Sequence, residues 1–192
     1  SPRLHHYDPT AEYKEPFVGD KFSSEMYADA AVKFLSERKK NDRPFFAFVA
    51  FTSPHDPRNQ HPGYGHTYHP EEMVLPVNYL PQHPFDNGEL KIRDEVLLPF
   101  PRTEEMIRKD LADYYGMVSE VDYQIGRILN TLKEKGELDN TIIVFASDNG
   151  LAVGQHGLMG KQNVYEHSVR VPLMIKQAGK DVKGQRSDKL CS

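Results

Sequence analysis

The sequence predicts an α/β fold, and three observations carry that prediction. Two short continuous apolar runs, Phe45–Phe51 (FFAFVAF) and Thr141–Ala146 (TIIVFA), have the length and the aromatic and β-branched content of strands buried on both faces. Two longer stretches, 24–38 and 104–135, repeat apolar residues at spacings of three and four, the mark of a helix with one apolar stripe. A helical stretch leads into each apolar run, as expected where helices cover a sheet.

Composition narrows the class. The chain has 192 residues, the size of one domain or slightly more. Hydrophobic residues make up 38% and include 10 Phe and 10 Tyr, which excludes a disordered chain. The net charge of −4 argues against nucleic acid as a partner, because duplex binding calls for a basic excess. No apolar run approaches the roughly 18 residues of a membrane span. A single cysteine, Cys191, excludes an internal disulfide and a cysteine-based zinc knuckle. The opening Ser1-Pro2-Arg3-Leu4-His5-His6 does not read as a signal peptide, since no apolar core follows the charge. Oligomeric state leaves no mark in the sequence.

In order along the chain, residues 1–22 are polar and broken by Pro2, Pro9, Pro16 and Gly19, and read as a surface arm. Ser23 or Ser24 is the expected N-cap of the first helix, with Tyr27, Ala30, Ala31, Phe34 and Leu35 on its apolar stripe. The strand 45–51 follows between Pro44 and Pro54. Residues 53–101 hold nine of the 14 Pro and five of the nine His, and form a long Pro/His-rich loop insertion. Such a loop reads either as a substrate-facing element or as a flexible insertion. Thr103 caps the long helix, and Gly136 supplies its left-handed stop. Asp122 lies on the stripe of that helix and reads as a rim carboxylate bonded to a neighbouring loop. After the strand 141–146 come Gly150, Gly154, Gly157 and Gly160, then an expected third strand at 169–176. Pro172 makes that strand an edge or a bulged one. Residues 23–192 therefore form the folded part.

Four places carry chemistry. Asp148-Asn149 directly follows a buried strand, where ligands of open α/β sheets bind, and offers two adjacent hard oxygens suited to Ca²⁺ or Mg²⁺. Asn149-Gly150 is equally a hairpin signal, although Leu151–Gly154 makes a poor return strand. Lys161 closes the loop GQHGLMGK, where flexible backbone delivers one ammonium to an oxyanion such as sulfate or phosphate; a solvated lysine is the bland alternative. The loop is not a P-loop, because Gln162 stands where Ser or Thr is required. His156 shares it, as a pocket donor or as a surface residue. His55, in Ser53-Pro54-His55-Asp56-Pro57, lies at the end of the first strand run, between two prolines that stiffen its backbone, and suits donation to an oxyanion or protonation of a leaving group. His61, His66, His69 and His83 have no standard zinc spacing.

Taken together, several motifs in order resemble one family. They are Phe45–Phe51 with Ser53-Pro54-His55-Asp56-Pro57; Val121-Asp122, Gly126-Arg127 and Leu132; Asn140 through Gly150; and Gly157-Leu158-Met159-Gly160-Lys161 with Tyr165 through Leu173. From around residue 22 to the C-terminus the chain resembles the sulfatases of the alkaline-phosphatase superfamily. The resemblance implies part of an alkaline-phosphatase-like sandwich, with a mixed, mostly parallel sheet flanked by helices. It implies a calcium-dependent sulfuric ester hydrolase acting on a sulfated small molecule or glycan. By the same resemblance, Asp148 and Asn149 are calcium ligands (Mg²⁺ less favoured), while His55 and Lys161 contact the sulfate and the leaving oxygen. Glu166 and Arg170 are structural.

The family nucleophile is a formylglycine made in a Cys/Ser-x-Pro/Ala-x-Arg motif, and no residue here stands in one; Cys191-Ser192 falls on the wrong side of the metal pair. The expectation is therefore the central-to-late part of a catalytic domain, with the formylglycine upstream and these residues alone inactive. Apolar strand faces are expected to lie exposed along one side. The resemblance places such a protein in the periplasm, outside the cell or in a lysosome. Two other readings stand beside it: a phosphate or phosphonate ester hydrolase of the same superfamily, and a non-catalytic paralogue or fragment that binds sulfated glycans.

Overall fold

The structure, a computed structural model, describes residues 3–4, 17–39, 42–61, 63, 67–179 and 184–189. The elements are β1 (Arg3–Leu4), β2 (Phe17–Val18), α1 (Ser23–Glu37), α2 (Glu104–Glu134), β3 (Ile143–Ala146), a one-turn α3 (Glu166–Val169) and β4 (Leu173–Lys176). Most of the expected arm lies outside the described residues; β1 and β2 pair antiparallel within it.

Both long helices form where the apolar period places them. The cap of α1 differs from expectation. Phe22 occupies the N-cap and makes no side-chain cap bond. The two serines instead turn toward the 52–53 segment, with Ser23 Oγ 3.0 Å from Thr52 Oγ1 and Ser24 Oγ donating to Ser53 Oγ at 3.2 Å. Thr103 caps α2 as expected, accepting from the Met106 amide at 3.2 Å. Gly136 takes a φ of +70°, as its role as helix stop requires. The helices run side by side in the same direction. Arg127 bonds Asp29 at 2.6 Å, and Lys135 Nζ reaches the Ser36 carbonyl at 2.9 Å.

β3 and β4 pair antiparallel, with Ile143 opposite Lys176 and Ala146 opposite Leu173, a pairing that the expected mixed, mostly parallel sheet admits. The strands depart from expectation in two ways. β4 is shorter than 169–176, because its first residues form the turn α3 and Pro172, lacking an N–H, stands just before the ladder. Residues 45–51 form no strand at all. A strand needs a lateral partner for its backbone groups, and none lies beside this segment among the described residues. One face rests on α1, with the Phe45 ring 5.9 Å from Phe34 and Phe51 6.5 Å from Tyr27. The other face is open, and Phe46 and Phe48 are 90% and 83% exposed. Ile142, Val144, Met174 and Ile175 are exposed too, so apolar strand surface does face outward as expected.

The core sits elsewhere, where the first half of α2 meets two loops. Ile107, Leu111 and Ala112 from α2 pack with Met73 from the Pro/His-rich loop and with Val153 and Met159 from the glycine-rich loop. The described part of 53–101 holds only short 3₁₀ turns and an isolated bridge, Tyr79 to Gln155, yet it forms one wall of this core. Gly116 allows its close approach to α2, since a Cβ there would lie 2.2 Å from Gln60 Cβ. The glycine-rich loop is packed rather than flexible. Ala152, Val153, Leu158 and Met159 are buried, and Gly157, at φ +74°, lies where a Cβ would strike the Gln82–His83 backbone.

Glu95 and Arg102, both almost fully buried, tie the two loops together. The carboxylate accepts from the Met159 amide at 2.9 Å and from the Gly160 amide at 2.8 Å. The guanidinium bonds the same carboxylate at 2.9 Å, and also donates to the carbonyls of Glu95 and Gly157. Burial pushes the Arg102 pKa down and Glu95 counteracts it. Glu95→Ala strands the guanidinium and two amides together. It should lower the unfolding free energy of the intact protein by about 3–5 kcal/mol, the usual cost of breaking a buried ion pair. Denaturant titration measures this, and a loss under about 1 kcal/mol would show that the pair does not hold the loops.

Candidate active site

A cleft of about 3070 Å³ opens between 45–57, α2, β3 and the glycine-rich loop. Its lining includes the apolar residues of 45–51 and of α2, together with His55, Asp148, Asn149 and Lys161. The exposed Asp122 lies along this cleft on α2, with no bond to a neighbouring loop among the described residues.

The structure brings His55 and Lys161 together although 106 positions separate them: Lys161 Nζ lies 3.0 Å from His55 Nε2. An ammonium can only donate, so Nε2 accepts and the ring proton resides on Nδ1. That nitrogen faces Asp56, 3.0 Å from its carbonyl and 3.1 Å from its Oδ1. The tautomer is thus assigned from the network of hydrogen bonds. The peptide bonds before Pro54 and Pro57, on either side of His55, are both cis.

Around this pair lie groups that sequence reasoning missed. Asp94 Oδ2 is 3.3 Å from Lys161 Nζ and accepts from Gln162 Nε2 at 2.9 Å, while Asp94 Oδ1 accepts from Arg93 at 3.0 Å. The second arm of Arg93 bonds Asp56. In the sequence, Arg93 and Asp94 are two charges within a charged stretch of loop, with no spacing that links them to His55 or Lys161. Buried Glu95 is adjacent, so the carboxylate that fixes the glycine-rich loop and the one that meets Lys161 are consecutive residues.

Asp148 follows β3 as expected and is exposed. Its carboxylate makes no hydrogen bond or ion pair with the described residues. Asn149 donates its amide nitrogen to the Gly150 carbonyl at 2.8 Å, which leaves its Oδ1 without a donor there. Gly150 does not turn a hairpin. Its amide bonds the Ser168 carbonyl at 2.9 Å, and a Cβ there would lie 2.0 Å from the His167 carbonyl oxygen. Two open hard oxygens fit Ca²⁺ or Mg²⁺ chemically. Among the described residues, no set of three or more His, Cys, Asp or Glu is arranged to hold a metal, so this stretch offers two donors and not a full shell.

His156 takes φ +54°, stacks on Tyr165 at 4.1 Å and places Nε2 2.9 Å from Asn78 Nδ2. It belongs to a cluster with His83, whose Nδ1 lies 2.7 Å from the His156 carbonyl, rather than to the lining of the cleft. His167, which the sequence reading passed over, does line the cleft. Its Nε2 is buried with no hydrogen-bond partner among the described residues, and burial, followed by the neighbouring His156, pushes its pKa down.

Comparison with known proteins identifies the family. The chain matches the family described as Sulfatase over residues 4–192 and belongs to that family. It is 34% identical over 169 residues to a choline-sulfatase of Rhizobium meliloti, a match covering 82% of this chain and 33% of that protein. It is 33% identical over 156 residues to an arylsulfatase of Clostridium perfringens, covering 81% and 32%. Among solved structures it superposes on a phosphonate monoester hydrolase of Agrobacterium radiobacter with TM-score 0.64 and 28% identity, covering 79% of this chain and 32% of that one. The chain thus spans about a third of the length of the curated relatives it matches.

The Asp94 carboxyl is held below its ordinary range, first by the hydrogen bond from Gln162 and then by Lys161 and Arg93, against burial. A depressed carboxyl pKa stabilises the fold above the unfolded value, and that stability is lost as pH falls through the folded value. Asp94→Asn should therefore be less stable than wild type at pH 7, and the gap should begin to shrink below about pH 5 and close in stronger acid. Thermal unfolding of both proteins across this range checks it. A gap that stays constant down to about pH 2 would deny the ion pairing.

Proposed function

We propose that the intact protein hydrolyses sulfate esters of a small molecule or glycan, and that this stretch supplies the oxyanion and leaving-group side of its active site within an alkaline-phosphatase-like sandwich. The observation that carries the reading is the 3.0 Å contact between Lys161 Nζ and His55 Nε2, in a cleft that Asp148 and Asn149 also line. An ammonium beside an imidazole, held by side chains from two separate loops, is a ready receptor for a tetrahedral oxyanion. The match to the Sulfatase family supports sulfate as that oxyanion. We place the protein outside the cytosol, as the resemblance implies; no helix among the described residues is long and apolar enough to cross a membrane.

The geometry supports the following roles. Lys161 donates to a sulfate oxygen and compensates the negative charge that grows there. When the anion draws those hydrogens, His55 Nε2 is released from Lys161. Nε2 then takes up a proton from solvent, making the ring an imidazolium, and hands that proton to the departing alkoxide oxygen, while Nδ1 stays on Asp56. Asp148 and Asn149 would hold a hard cation, Ca²⁺ before Mg²⁺, through the carboxylate and Oδ1. When bound, such a cation supplies charge neutralisation on the ester oxygens, and a formylglycine supplies the covalent nucleophile.

A second reading has support of its own. The likeness to a phosphonate monoester hydrolase at TM-score 0.64 fits an oxyanion site that accepts a phosphonate or phosphate monoester. Rates on a matched aryl sulfate, aryl phosphate and aryl phosphonate distinguish the two, with the sulfate preferred under the main reading.

Three outcomes are expected of the intact protein. Lys161→Ala should cost about 10²-fold or more in kcat/KM, as loss of an oxyanion donor does; an unchanged value refutes the oxyanion role. His55→Ala should slow esters of basic alcohols more than those of nitrophenols, because only basic leaving groups need the proton. A loss uniform across the leaving-group series would leave His55 a purely positioning role. Asp148→Ala should abolish calcium binding, read by calorimetry, together with turnover. Retained calcium affinity would remove Asp148 from the metal site.

A further inference from the structure

We propose that Asp94 is a positioning residue for the Lys161 ammonium, and that Arg93 links it to Asp56 so that Lys161 and His55 are set by one closed ring of side chains. The inference rests on the roles given above to Lys161 and His55. The ring runs Lys161–Asp94 at 3.3 Å, Asp94–Arg93 at 3.0 Å, Arg93 to Asp56, Asp56–His55 at 3.1 Å, and His55 back to Lys161 at 3.0 Å.

The chemistry of a lysine makes such a holder necessary. Its ammonium is a compact charge on a flexible four-carbon stem, with three donors that fix no orientation by themselves. Here one donor meets Asp94 and a second meets His55, which leaves the third for a ligand oxygen. Asp94 suits the task because it is itself fixed. It is 7% exposed, and its two oxygens also receive Gln162 and Arg93. Its neighbour Glu95 is anchored on the glycine-rich loop that carries Lys161, so holder and held share one rigid support. Arg93 is 63% exposed along its side chain and adds little stability, but its two arms tie Asp94 to Asp56.

Asp94 cannot assist the anion directly, because a carboxylate repels it. Its benefit therefore has to pass through Lys161, and this separates positioning from substrate binding. In the intact protein assayed on an aryl sulfate, Asp94→Asn should lower kcat by about tenfold or more, a fraction of the loss of an oxyanion donor. KM should not rise, since a repelling charge has been removed. In a Lys161→Ala background the same substitution should change kcat little, because the group it positions is gone. Equal fold-losses in both backgrounds, or a raised KM with kcat intact, would overturn the proposal. Circular dichroism at the assay temperature confirms that each variant is folded. If Asp94→Asn does not fold, Arg93→Gln carries the same test, with a smaller loss that likewise vanishes without Lys161.

A readout independent of turnover keeps this inference apart from the functional one. If the wild type hydrolyses neither aryl sulfate nor aryl phosphonate, the proposed function fails by itself. The acylation rate of the Lys161 amine, followed by mass spectrometry, then decides the positioning role. Asp94→Asn or Arg93→Gln should speed labelling of Lys161 and leave the exposed Lys133 unchanged; an unaltered Lys161 rate would overturn the proposal.

Discussion

The buried pair of Glu95 and Arg102 is the constraint on which the site depends. Neither charge can sit in the interior alone, so the pair forms wherever the chain permits, and its remaining hydrogen-bonding capacity falls on the glycine-rich loop. Glu95 accepts from the amides of Met159 and Gly160, and Arg102 donates to the carbonyl of Gly157. Lys161 is the next residue, so its stem leaves from backbone fixed on both sides of the chain reversal. A glycine-rich loop is usually read as mobile. Here the glycines allow close approach: Gly157 fits against the 82–83 backbone only because it lacks a Cβ.

From that anchor the electrostatics follow. Two cations, Lys161 and Arg93, alternate with two carboxylates, Asp94 and Asp56, and the neutral His55 tautomer closes the circuit. The resting site is therefore close to neutral in charge yet ordered in direction. Preorganised dipoles and charges of this kind stabilise a developing oxyanion without reorganising when it forms. Most of these pairs are partly exposed, so their value lies in geometry more than in stability.

Much of the framework was legible in the sequence. The apolar period placed α1 and α2 to within a residue, Thr103 showed itself as a cap, and His55 and Lys161 were singled out by their places after an apolar run and a glycine-rich loop. What the sequence concealed was lateral. The run 45–51 has every local property of a strand, but pairing depends on what lies beside it, and Phe46 and Phe48 face outward. The long Pro/His-rich loop shows no period, yet Met73, Leu75 and Tyr79 from it pack in the core. Arg93, Asp94 and Glu95 are three consecutive charges with no spacing that singles them out, and only the fold shows two of the three buried and one meeting Lys161. Charge alone in a sequence does not distinguish a buried carboxylate from an exposed one.

The central claim is that His55 and Lys161 form a single receptor for a tetrahedral oxyanion. The most direct measurement is a crystal structure of the intact protein soaked in inorganic sulfate at a range of concentrations. The account predicts that sulfate binds with uptake of a proton on His55 Nε2, its oxygens at about 2.7–3.2 Å from both Lys161 Nζ and His55 Nε2, with the contact between the two side chains lengthened and Asp94 still on Lys161. A sulfate bound elsewhere in the cleft, with the Lys161–His55 contact unchanged, would contradict it.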